Sequence, residues 1–65
     1  MQNKRGYSIN YRISQDIEYA AKIANEPDRT LLATKALGAA DLAVEFGLIT
    51  YKEWEEHIAR IFDII

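Results

Sequence analysis

Apolar positions along this chain change their period as the chain proceeds. From Tyr7 to Ser14 the sequence YSINYRIS alternates strictly, with Tyr7, Ile9, Tyr11 and Ile13 on one side and Ser8, Asn10, Arg12 and Ser14 on the other. Period two in β-branched and aromatic residues predicts a half-buried strand over 7–13. Ile9, Ile13 and Ile17 are also spaced i, i+4, i+8, so a helix over 9–24 is the competing reading. A lone strand leaves its backbone groups unpaired, and a second copy of itself is the simplest partner. Ser14 is placed to cap a helix over about 15–25, with Gln15, Asp16 and Glu18 in its first turn. Ile17, Ala20, Ala21 and Ala24 make the apolar face of that helix, with Ile23 beside it. Pro27 disfavours helical geometry at Glu26 and sets the stop near Asn25.

The next helix, 29–46, has Asp28 and Thr30 as candidate caps. From Leu31 to Phe46 it has almost no wet side: Thr34, Gly38, Asp41 and Glu45 form a narrow polar stripe with Lys35 beside it, and apolar residues cover the rest. A helix apolar over most of its girth is a buried helix, and in a short chain such burial requires a second copy or a partner. Alanines at 20, 21, 24, 33, 36, 39, 40 and 43 favour close helix–helix approach. Gly47 is placed to end this helix in a left-handed conformation. Thr50 and Glu53 then form a capping box, with Ile49 and Trp54 as its hydrophobic staple, opening a third helix over 50–64. Trp54, Ile58, Ile61, Phe62 and Ile65 share one face of it; Glu55, Glu56, Arg60 and Asp63 point mostly outward. The expected fold is mainly α, three helices with a short N-terminal strand pairing across a homodimer. The alternative is an all-α three-helix bundle in which 9–24 is helical.

Length narrows this picture. Sixty-five residues make one domain, marginal alone, and without cysteine it has no disulfide or thiolate metal site to staple it. Small scaffolds of this kind often oligomerise. The net charge of −2 argues against indiscriminate nucleic-acid binding. It is unevenly spread: before Asp16 the charged side chains are Lys4, Arg5 and Arg12, whereas from Ala36 onward six carboxylates oppose Lys52 and Arg60, a balance of −4. Met1 to Gly6 is a polar, basic arm with no signal-peptide core behind it, and no run reaches the ~18 apolar residues of a membrane span. The default location is the cytoplasm.

Candidate chemistry is sparse. His57, the single histidine, neighbours Glu53 but has no nucleophile or second base, so it is expected at the surface or its boundary. Glu55 and Glu56 are adjacent on a helix and do not face each other. The serines and threonines lack a base-bearing or glycine-rich context, and Gly6, Gly38 and Gly47 are isolated. No enzyme, cofactor, metal site or small-molecule substrate is expected.

The segment Ile9-Asn10-Tyr11-Arg12-Ile13-Ser14, followed by Asp16-Ile17, resembles the opening of the ribbon-helix-helix repressors of phages and plasmids, over residues 8–24. The resemblance implies a ribbon of two paired strands whose polar residues enter the DNA major groove. Ser8, Asn10 and Arg12 would be that outward set, Asn and Arg being suited to adenine and guanine edges. Lys4 and Arg5 would lie near phosphates, and Arg29-Thr30 would offer backbone N–H groups to one. Ile9, Tyr11 and Ile13, with Leu32, Ala36, Leu37, Ala40 and Val44, would form the dimer interface. After residue 24 the likeness falls away: Pro27-Asp28 stands in the loop, and Lys35 falls where an apolar residue is expected. The function expected is a homodimeric DNA-binding transcriptional regulator. The alternative is a helical accessory protein, of the kind common in phages, that self-associates and binds or modulates a protein partner.

Overall fold

A computed structural model describes residues 8–65; Lys4, Arg5 and Tyr7 lie outside the described residues. Among the described residues backbone pairing is local, within three helices: α1 (Ile9–Ala21), α2 (Glu26–Glu45) and α3 (Tyr51–Ile64). No strand occurs among the described residues, so the expected strand is corrected from Ser8 onward in favour of the helical alternative. A helix satisfies its own backbone, whereas an isolated strand does not. Ser8 starts α1: its Oγ accepts from the Tyr11 N–H at 3.2 Å. Ser14, expected as a cap, is in the second turn. The i, i+4 spacing therefore outweighs the alternation, and Ile13, Ile17 and Ala20 are the buried residues of α1. Ala21 and Ala24, expected on that face, are exposed, and α1 ends at Ala21 rather than near 25.

α2 begins three residues ahead of the expected Arg29. Asn25 caps it, its Oδ1 accepting from the Asp28 N–H at 3.2 Å, in place of the expected Asp28 or Thr30. Pro27 lies in the first turn, where no backbone N–H is required of it; it opens α2 rather than merely closing α1. Glu26 and Asp28 place negative charge at the positive end of the helix dipole. At the other end Gly47 adopts φ 72°, as expected of a left-handed terminator. The Leu48 N–H reaches Ala43 O at 2.8 Å and the Gly47 N–H reaches Val44 O at 3.2 Å, the two bonds of a Schellman motif. The capping box opening α3 is present as expected: Thr50 N–H donates to Glu53 Oε1 at 2.8 Å, and Glu53 N–H to Thr50 Oγ1 at 3.0 Å.

The core inverts the expectation for the central helix. Its buried residues are Ala33, Ala36, Ala40 and Ala43, which let α1 and α3 approach closely. Ile13, Ile17 and Ile61 are the largest fully buried side chains, and Ile49 closes one end. Leu31, Leu42 and Phe46 point outward instead of into the core. On α3, Trp54, Ile58 and Ile64 pack at the core's edge, while Phe62 and Ile65, expected on the apolar face, are exposed. No helix among the described residues is long and apolar enough to cross a membrane.

Candidate protein-binding surface

The polar side chains that the sequence offered for chemistry are mostly engaged in holding the helices together. His57 is 5% exposed, buried rather than at the surface. Its Nε2 lies 2.6 Å from Asn10 Oδ1. A carboxamide oxygen only accepts, so the proton of the neutral imidazole belongs on Nε2. Burial lowers the His57 pKa below its ordinary value, Arg60 lowers it further, and Glu53 and Glu56 pull the other way. Next to it, Arg60 donates to Ser14 Oγ at 2.9 Å and lies 3.8 Å from Glu18. Asn10, Ser14 and Glu18 therefore form an i, i+4, i+8 row on α1 that meets His57 and Arg60 of α3. Where α3 meets α2, Trp54 Nε1 donates to Asp41 Oδ1 at 2.7 Å, and the Tyr51 ring lies against the Trp54 ring at 5.1 Å.

The residues expected to read DNA are thus dispersed. Ser8 caps α1, and Asn10 is turned toward His57. Arg12 is exposed and lies 3.8 Å from Asp16, one helical turn on. Arg29 donates from Nη1 to Ile23 O at 3.0 Å, and its backbone N–H is bonded to Asn25 O at 2.9 Å. Since α2 starts at Glu26, Arg29 and Thr30 no longer head the helix, and the backbone N–H groups assigned to a phosphate are not presented there; Thr30 O accepts the Thr34 hydroxyl at 2.8 Å. Of the expected dimer residues, Ile13, Ala36 and Ala40 are covered by the chain's own helices. Leu32, Leu37 and Val44 lie half-buried against that core, whereas Ile9 and Tyr11 are exposed.

One cleft that the helices leave open is almost wholly apolar. Ile9 from α1, Ala39, Leu42 and Ala43 from α2, and Phe46 and Leu48 from the following turn line an open cleft of about 300 Å³. Ala39 and Ala43 have short side chains; Leu42, Phe46 and Leu48 are long, and Phe46 is 73% exposed. The cleft follows from local structure. Antiparallel α1 and α2 bring Ile9 to the C-terminal end of α2, and the Schellman motif turns Leu48 back over that end. A smaller cavity of about 120 Å³ further along the α1–α2 groove is lined by Arg12, Asp16, Tyr19, Leu32 and Lys35.

Sequence reasoning missed this surface because it put the self-association face of the central helix on Leu32, Ala36, Leu37, Ala40 and Val44 rather than on Leu42 and Phe46. The available signal was the alanine spacing at 33, 36, 40 and 43, a complete helical face in itself. No group of three or more His, Cys, Asp or Glu side chains able to hold a metal occurs among the described residues. No family model matches the chain, and comparison with curated proteins and with solved structures returns no match.

Proposed function

We propose that this chain is a non-enzymatic helical interaction module that works by binding protein through the apolar surface at the C-terminal end of α2. The observation that carries this reading is that the core is already filled by alanines and isoleucines while Ile9, Leu42, Phe46 and Leu48 stand exposed around one cleft. Soluble monomers rarely leave contiguous apolar patches of more than a few hundred Å² open, and larger ones mark interaction sites. The engagement of Asn10 and His57 with each other, and of Arg60 with Ser14, supports a scaffold role for the polar residues rather than a catalytic one.

The test is affinity capture with the full chain as bait from the cells that express it, repeated with Phe46→Asp. A specific protein retained by the parent chain and lost with the variant is the expected result. Equal capture by both chains overturns the reading. So does duplex DNA binding that weakens steeply with salt and is lost in Arg12→Ala.

A further inference from the structure

Along the outer side of α2, Leu31, Lys35, Gly38, Leu42 and Glu45 follow one another at intervals of four, three, four and three residues, and all are exposed. That interval pattern is the seam spacing of helices packed side by side. The seam has a centre. Gly38 lies seven residues from Leu31 and seven from Glu45. Nothing in the folded chain requires a glycine there: a Cβ added at Gly38 meets no atom within 4 Å. A glycine inside an exposed helix is less stable than alanine there, a cost with a purpose where another backbone comes close.

We propose that a second copy of this chain packs against this seam, its α2 antiparallel to the first, with the two helices crossing at Gly38. The proposal rests on the protein-binding reading above and names the occupant of that surface. Three observations select a second copy and this direction. The first is self-complementarity. A two-fold axis at Gly38 sets Leu31 of each copy level with Glu45 and Phe46 of the other, beside the cleft that Leu42 and Phe46 border. Leu31, 61% exposed at the far end of the same helix, is otherwise without cover.

The second is charge. A parallel pair would oppose Lys35 to Lys35 and Glu45 to Glu45. The antiparallel pair brings Glu45 of one copy to four residues, about 6 Å along the axis, from the level of Lys35 of the other, within reach of a lysine side chain. The third is area. Ile9, Leu31, Leu42, Phe46 and Leu48 leave on the order of 500 Å² of apolar side chain uncovered per copy, which with a polar rim approaches the ~800 Å² per partner of a standard stable interface.

The test is sedimentation equilibrium of the full chain from about 1 μM to 1 mM, a span covering weak to tight association. A reversible monomer–dimer equilibrium is expected. Leu42→Glu should leave a monomer with unchanged far-ultraviolet circular dichroism, since residue 42 is outside the core. Lys35→Glu and Glu45→Lys should each weaken the dimer about tenfold, and the two together should restore it. A chain monomeric across the range overturns the proposal, as does a dimer that Leu42→Glu leaves intact. Charge reversals that add rather than compensate overturn the antiparallel pairing. A monomeric chain that still captures its protein partner through Phe46 removes the second copy and leaves the binding function standing; loss of that capture as well removes both.

Discussion

Replacing Ile17 by alanine tests the alanine-lined core directly. Ile17 is 1% exposed and sits between α1 and the alanine face of α2. The substitution removes three carbons, each worth about 0.8 kcal/mol of transfer free energy, and leaves a cavity that adds to the loss. The expected cost is about 3 kcal/mol, inside the 2–5 kcal/mol range of such truncations. A domain of this size has roughly 3–8 kcal/mol of total stability, so the variant is expected to lose a large share of it and to unfold at much lower urea. The site cannot readily collapse, because the facing residues are alanines with no side chain to swing into the void. The assay is urea unfolding followed by Trp54 fluorescence and by helical circular dichroism, at low protein concentration so that association does not contribute. Phe46→Ala is the control. It removes more carbon, but from an exposed side chain, and should shift stability by less than ~0.5 kcal/mol. A Phe46 variant less stable than the Ile17 variant would refute the placement of the core.

The capping box at α3 gives a second expectation: Thr50→Ala should lower stability by about 1 kcal/mol, read from the same unfolding curves, because the Glu53 N–H loses its acceptor. Gly47→Ala should cost about 1 kcal/mol by forcing a β-carbon into a left-handed conformation, and the loss should persist at every pH. His57 gives a pH dependence. Its pKa in the folded chain is lowered below 6.5, so below about pH 6.5 the unfolded chain binds more protons, and His57's contribution is lost as pH falls from there toward the folded value. Comparing parent and His57→Gln between pH 7.5 and 5.5 (a window bracketing the ordinary histidine value) should show the steeper fall in the parent; parallel curves would remove the buried-histidine reading.

How far the sequence could be read follows from the physics of each segment. The start of α3 was legible because Thr50 and Glu53 are local partners: both hydrogen bonds close within three residues and need nothing from the rest of the chain. Gly47 was legible for the same reason. The N-terminal segment was not, because a short alternating stretch and a helix share positions 9 and 13. The difference lies in what happens next, where Ile17 and Ala20 continue the helical face while no second strand follows in the chain. Pro27 marks a stop in the sequence pattern, although proline in a first turn serves equally as a start once Asn25 is present to cap. The burial of His57 is not legible locally because its partner, Asn10, is 47 residues away in sequence. No local pattern records that pairing.

The central helix shows why apolarity alone does not locate a core. α2 carries apolar residues over most of its girth, so more than one side is available to face inward. The alanine side is the one α1 and α3 occupy, because interhelical distance is set by side-chain length: short residues at 33, 36, 40 and 43 permit an approach that Leu31, Leu42 and Phe46 would prevent. Close approach in turn aligns Asn10 with His57, Ser14 with Arg60, and Asp41 with Trp54, three hydrogen bonds that need the helices at this spacing. The large apolar residues are left outside by the same choice. Exposed leucine and phenylalanine at this end of the bundle are therefore the geometric consequence of a small-residue core, and they leave a 65-residue chain with an open apolar cleft while its interior stays closed.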